Sequence, residues 1–112
     1  GLLKKHVAVF GKQVPRYLGK RIVPRYIWSH YGDQSSINMY SKLEDRYFLH
    51  NAFCAYRTDY LKENPFNENL VGKEDRYWAN EVVKNGETYF YEPGLICQHH
   101  FTNNGNTWRG ID

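Results

Sequence analysis

The stretch KEDRYWANEVVK, residues 73–84, decides the fold class of this chain. Two acidic residues open it, where the positive end of a helix dipole favours them. Asn85-Gly86 follows as a stop signal. The large apolar side chains recur at helical spacing on roughly one side, at Tyr77, Trp78, Val82 and Val83. We therefore predict an amphipathic helix over residues 73–84.

Apolar runs on both sides of this helix predict β-strands. Gly11 ends the first of them, and Pro93-Gly94 separates the last two. The predicted strands cover residues 6–10, 48–56, 88–91 and 95–101. Strands and helices in this order predict an α/β chain, more closely an α+β fragment, with a mixed sheet and a few helices.

Two further segments are assigned more loosely. Residues 57–62 predict a short helix capped by Thr58 and ended by the turn that begins at Asn64-Pro65. Residues 17–45 are broken by glycine, proline and a polar run, which predicts a long loop with a short helix in it. A loop of that length in a compact domain is usually functional or mobile.

Size and composition bound the class of protein. The chain has 112 residues, which suits one domain, and 17% of them are aromatic, which predicts a core of packed rings. A net charge of +3 suits a partner that carries phosphate. Cys54 and Cys97 lie in apolar stretches, which indicates buried free thiols rather than a disulfide. No apolar run approaches the ~18 residues that span a bilayer.

Three groups of residues are candidates for chemistry, and each has a plainer explanation. Glu74 and Asp75 are a possible acid pair, although acids at a helix start need no further role. His99 and His100 end a predicted strand, where one ring faces a metal or both simply pack. Basic residues in the first third of the chain alternate with aromatic residues, which suits a solvated face or a phosphate or nucleic-acid contact. These basic residues are Lys12, Arg16, Lys20, Arg21 and Arg25.

The order of several short motifs resembles the second half of family-2 glycosyltransferases of the GT-A type. That half has a strand that ends in a small-residue and arginine motif, a "gly-phe-asp-glu" turn, a Glu-Asp pair opening a helix, a Gly-terminated turn, a "tyr-glu-pro" strand and a histidine. The matching stretches here are Asn51 to Leu61, Pro65 to Leu70, Gly72 to Asp75, Asn85-Gly86, Tyr91 to Pro93 and His99-His100. In addition, residues 9–16, VFGKQVPR, look like a stretch of the rhamnosyltransferase-like members.

The resemblance implies an inverting transfer of sugar from a nucleotide-sugar donor to the hydroxyl of a glycan or lipid-linked acceptor. The second acid of the Glu-Asp pair is the general base of the family, which corresponds to Asp75, while Glu74 orients the acceptor or binds the helix start. The resemblance also implies donor or acceptor binding by six residues: Lys12, Gln13, Arg16, Asn51, Trp108 and Arg109.

The family uses Mn²⁺ or Mg²⁺ to offset the charge of the leaving diphosphate. An Asp-x-Asp motif holds that ion, sometimes with a later histidine, which corresponds to His99 or, failing that, His100. No Asp-x-Asp occurs in residues 1–112. We therefore expect a single partial domain, the acceptor-side half of the fold, with the upstream nucleotide-binding half absent and the isolated chain inactive.

The expected location is the cytoplasm, with possible peripheral attachment at the inner face of the membrane through regions outside this chain. Nucleic acid is not an expected partner, because acids interrupt the basic residues in the C-terminal half. Two alternatives stay open. One is a non-catalytic carbohydrate-binding or scaffold domain of the same fold, and the other is a basic nucleic-acid-binding module.

Overall fold

A computed structural model describes residues 1–17, 26–70 and 72–101 of the chain; for residues 15–17 and 98–101 it describes the backbone. The helices are α1 (Leu2–Lys5), α2 (Thr58–Glu63) and α3 (Glu74–Lys84), with 3-10 helices at Tyr26–His30 and Asn51–Phe53. The strands are β1 (Ala8–Tyr17), β2 (Ser36–Ile37), β3 (Tyr40–Ser41), β4 (Arg46–Tyr47), β5 (Cys54–Tyr56) and β6 (Tyr89–Phe101).

The main sheet has four strands in the order β2-β6-β1-β5. Its two long central strands, β1 and β6, run parallel, whereas β5 and β2 pair antiparallel at the two edges. Strands β3 and β4 form a separate antiparallel pair. The chain is therefore α+β with a mixed sheet and a few helices, as the sequence predicted.

The central strands do not stop where the sequence indicated. Gly11 pairs with Glu92 and the next residue, Lys12, pairs with Ile96, so residues 93–95 form a bulge in β6. The prediction that Gly11 ends the first strand was wrong, and so was the separation of the last strand into two. The bulge accommodates Pro93, which has no N–H for the ladder, and pairing then continues to the ends of both strands.

Gly11 has a steric role at this bulge. A Cβ atom placed there would lie 2.6 Å from the carbonyl oxygen of Leu95 and 2.6 Å from the ring of Phe53. Only a residue without a side chain lets the three segments approach so closely. The glycine that looked like a strand stop is therefore a packing position inside the sheet.

Helix α3 confirms the strongest sequence prediction, with one exception on its apolar face. Its buried residues recur at the spacing of one helix face and are Asp75, Arg76, Trp78, Ala79 and Val82. Tyr77, predicted to lie on that side, is 54% exposed because helical geometry places it on the opposite face from Asp75, Ala79 and Val82. Two charged residues thus face inward at the start of the helix.

Three local predictions differ from the structure. Phe48 and Leu49 are buried, but residues 51–53 form a 3-10 helix, so only Cys54–Tyr56 of the predicted strand pairs with β1. Helix α2 begins at Thr58 itself, and no side chain caps it. The predicted long loop contains the expected short helix, and it also contributes β2 and β3.

Aromatic rings dominate the core, as the composition predicted. The ring centroid of Phe10 lies 5.1 Å from that of Tyr91 and 6.1 Å from that of Tyr89. The ring of Phe48 also packs against Phe10. Cys54 and Cys97 are not joined in a disulfide, and each is partly buried. No helix of the described segments is long and apolar enough to cross a bilayer.

Candidate functional site

The first turn of α3 places Glu74 and Asp75 beside a surface cleft. Gly72 and Lys73, just before it, both have left-handed backbone with φ of 75° and 58°. This conformation is natural for glycine but uncommon for lysine. The two residues turn the chain sharply into the helix, so that its first side chains meet the segment around residues 44–51.

Asp75 is held by a dense set of donors. Its Oδ2 atom accepts a hydrogen bond from the backbone N–H of Asn51 at 3.0 Å, and its Oδ1 accepts one from the backbone N–H of Arg76 at 2.8 Å. The Nη1 atom of Arg76 contacts both oxygens, at 3.1 and 3.0 Å. The Asp75 side chain is 11% exposed. Its carboxylate plane is therefore fixed, with a narrow edge left accessible.

Arg76 joins Asp75 to a second carboxylate, that of Glu44. Its Nε and Nη2 atoms donate to the two oxygens of Glu44 at 3.1 and 3.2 Å. The guanidinium also lies over the ring of Phe48, 4.4 Å from the centroid. We call Glu44, Asp75 and Arg76 the ion cluster. A planar guanidinium suits this position because it can bind two carboxylates and stack on a ring at once.

The environment lowers the pKa of Glu44 from 4.5 to about 2. Burial acts in the opposite direction, but hydrogen bonds from Arg76 and from the Tyr26 hydroxyl outweigh it, helped by the charge of Arg76 and by a hydrogen bond from Arg46. The ion cluster thus contains a carboxylate that stays ionised well below neutral pH.

The cleft beside Asp75 has a volume of about 310 Å³. Lys73 borders it, and its ammonium donates to the Tyr26 hydroxyl at 2.9 Å. The cleft is lined by Tyr26, Ile27, His50, Gly72, Lys73, Glu74, Asp75 and Arg76. Two carboxylates, an imidazole, an ammonium and a phenol therefore converge on one depression, which is the usual composition of a polar binding site.

His50 connects the cleft to the sheet. Its Nδ1 atom accepts from the backbone N–H of Ala52 at 3.2 Å, and the side-chain amide of Gln13 lies 2.8 Å from the same atom. A neutral His50 ring therefore carries its proton on Nε2. Gln13 is buried and also donates to the Tyr31 hydroxyl at 2.9 Å. Gln13, predicted to bind substrate, does not line the cleft but contacts His50, which does.

Glu74 differs from Asp75 in its surroundings. Its Oε2 atom is shielded from water and has no hydrogen-bond partner within the described part of the chain. The side chain borders both the Asp75 cleft and a larger cavity between α2 and α3. An ionised oxygen without a donor is costly, so Glu74 is suited to accept a donor from a bound molecule.

The other predicted site residues are spread over the molecule. Lys12 is ion-paired with Asp33 at 2.8 Å, away from the cleft. Asn51 meets Asp75 through its backbone, while its side chain accepts from the Tyr56 hydroxyl. The backbones of Arg16 and His100 are paired neighbours on β1 and β6.

The remaining predicted residues are described less fully or not at all. The backbone of His99 pairs with that of Pro15 on the same two strands. Trp108 and Arg109 lie outside the described residues. Their assignment to donor or acceptor binding, and that of His99 and His100 to a metal, stay predictions.

Among the described side chains, those of residues 1–14, 26–70 and 72–97, no three His, Cys, Asp or Glu groups come together as metal ligands. At the cleft itself, both oxygens of Asp75 accept from Arg76, which occupies the position that a cation would take.

Four residues of the site escaped the sequence reasoning: Tyr26, Glu44, His50 and Arg76. Arg76 carried a local signal, because a charged residue at a buried position of an amphipathic helix needs a partner. Glu44 lies 32 residues away in the chain, and no local signal in the sequence placed it at the site.

Neither a protein-family model, nor a curated protein, nor a solved structure matches the chain.

Proposed function

We propose that this chain is the acceptor-side part of a nucleotide-sugar-dependent glycosyltransferase of the GT-A type, with Asp75 as general base. The observation that carries the proposal is the placement of Asp75. It lies at the start of α3 on the wall of an open polar cleft, with its carboxylate plane fixed by Arg76 and by the backbone of Asn51. Fixed orientation at an accessible edge is what a base needs.

In the proposed reaction, an acceptor hydroxyl enters the cleft and its oxygen attacks the anomeric carbon of the donor sugar. The bond from that carbon to the nucleoside diphosphate breaks, and the hydroxyl proton passes to Asp75. Such general-base assistance is worth ~10²–10⁴-fold in rate. His50 and Lys73, which line the same cleft, are suited to hold other hydroxyls of the acceptor glycan.

The donor side of the proposal depends on residues beyond this site. The nucleotide sugar, and the Mn²⁺ or Mg²⁺ that accompanies it in this family, would be held elsewhere, with His99 or His100 as possible contributors. A cytoplasmic location, at or near the inner face of the membrane, is part of the same proposal.

The test is turnover by the full-length protein that carries this chain, followed as nucleoside diphosphate release from a panel of nucleotide sugars with glycan acceptors. Asp75→Asn should lower turnover by at least ~10²-fold and leave donor binding nearly unchanged. Val82→Ala, which opens a cavity in the core away from the cleft, is the control for lost stability. If both variants lose turnover equally, Asp75 is not the base.

One observation favours a second candidate, a non-catalytic carbohydrate-binding or scaffold domain of the same fold. Asp75 already accepts hydrogen bonds at both oxygens and sits in a buried ion cluster, which is a sufficient structural reason for an acid there. On this reading Asp75→Asn lowers the free energy of unfolding, while no nucleotide sugar of the panel is consumed even by the unaltered protein.

A further inference from the structure

A second depression, the α2–α3 cavity, shares Glu74 with the Asp75 cleft. It has a volume of about 390 Å³, enough for a small organic molecule. Its walls come from α2, from residues 64–70 and from one stripe of α3 with its C-terminal end. The lining residues are Tyr60, Asn64, Pro65, Asn67, Leu70, Glu74, Tyr77, Trp78, Glu81 and Asn85.

The charge of this cavity has one sign. Glu74 and Glu81 are two helical turns apart on the same stripe, and none of the described lining residues is lysine or arginine. Arg46, whose guanidinium carbon lies 6.0 Å from the centroid of the Tyr77 ring, is itself paired with Glu44 at 3.0 Å. The cavity therefore holds two carboxylates whose charge no residue of its walls offsets.

The polar side chains of the walls include acceptors for a ligand that donates. The amide nitrogen of Asn64 donates to the backbone oxygen of Tyr60, and that of Asn85 donates to the Tyr60 hydroxyl. Each of these amides keeps its side-chain oxygen, together with a second N–H, for a ligand. The Trp78 indole N–H, another donor of the wall, is already bonded to the carbonyl oxygen of Asn64 at 2.6 Å. A ligand ammonium can therefore donate to the amide oxygens as well as to the two carboxylates.

Aromatic and apolar side chains supply the rest of the surface. Tyr77 is 54% exposed although it borders the cavity, and Tyr60 and Trp78 pack edge to face beneath it with ring centroids 5.8 Å apart. Leu70 and Pro65 complete the apolar part. Rings beside carboxylates form a favourable surface for an organic cation, because the ring faces are also negative.

We propose that the α2–α3 cavity binds a small organic cation, a primary ammonium group attached to an apolar or ring-shaped skeleton. The ammonium lies between Glu74 and Glu81 and donates to carboxylate and amide oxygens. The skeleton covers Leu70 and the tyrosine rings. This site is separate from the proposed catalytic one and does not depend on it, although the two share Glu74.

The experiment compares two probes of similar shape, cyclohexylammonium and cyclohexanol, titrated into the ¹⁵N-labelled chain at pH 7 and low salt. Cyclohexylammonium should bind at least about tenfold more tightly, since hydrogen bonds to charged groups exceed neutral ones. The amide signals of residues 64–70 and 74–85 should shift. Added salt should weaken binding of the cation alone.

Glu74→Gln should weaken cyclohexylammonium binding by about tenfold. Glu81→Gln should weaken it severalfold, and its exposed position makes folding secure. Glu87→Gln removes the same charge at an exposed position outside the cavity and is the matched control. Equal affinity for cyclohexanol, equal loss in the Glu87→Gln control, or shifts confined to other residues would overturn the proposal.

Discussion

Replacing Glu44 with glutamine removes one charge from the ion cluster while keeping the shape of the side chain. Glu44 is 5% exposed and binds Arg76 through both oxygens. In the folded chain its pKa is about 2, against 4.5 for the free group. Because the folded pKa is depressed, the ionised form stabilises the fold above pH 4.5, and that stability is lost as pH falls through about 2.

The magnitude follows from the two pKa values. Their difference corresponds to about 3 kcal/mol of unfolding free energy at pH 7 and to about 1 kcal/mol at pH 3. Glutamine can still accept one hydrogen bond from Arg76, so we expect Glu44→Gln to lose about 2–3 kcal/mol at pH 7. The loss at pH 3 should be smaller by about 2 kcal/mol.

Urea unfolding followed by tryptophan fluorescence measures both values, because Trp78 is buried in the core beside the tyrosine rings. Glu68→Gln is the control, since it removes a charge from an exposed side chain. That control should stay within about 0.5 kcal/mol of the unaltered chain at both pH values. A Glu44→Gln effect that does not change between pH 7 and pH 3 would refute the reasoning, as would a loss below about 1 kcal/mol at pH 7.

Two further predictions concern the sheet. Gly11→Ala places a methyl group 2.6 Å from the Leu95 carbonyl and should cost at least about 2 kcal/mol in urea unfolding, whereas Gly32→Ala, with no atom within 4 Å, should cost under about 0.5 kcal/mol. Similar losses would remove the steric role of Gly11. Burial raises the pKa of Cys54 to about 12. In a Cys97→Ser variant at pH 8, the Cys54 thiol of the folded chain should therefore react with Ellman's reagent at least about tenfold more slowly than the same thiol in the urea-unfolded chain. Equal rates would contradict its burial.

Sequence periodicity was sufficient for α3 because the signals of a helix are local. Apolar spacing, acids in the first turn and the stop after Lys84 all lie within a dozen residues, and Gly86 indeed has the positive φ, 79°, expected after a helix end. The class of the fold followed from the alternation of strands and helices. The aromatic content likewise predicted a core of rings.

The strand boundaries could not be predicted in the same way. Gly11 and Pro93 are local signals of an end, yet pairing between β1 and β6 continues past both. The bulge that permits this is a property of two strands together, since it places three extra residues on one of them. The sequence of one strand alone therefore does not predict the bulge.

By itself the sequence determined that helix α3 forms, that two acids open it and that the chain is α+β, since each depends on neighbours along the chain. Only the tertiary structure decided what those acids do. Asp75 faces inward and meets Arg76 and Asn51, while Glu74 borders two cavities. The physical reason is that charge pairing and burial depend on distance in space, and the closing partner of the ion cluster, Glu44, is 32 residues from Arg76.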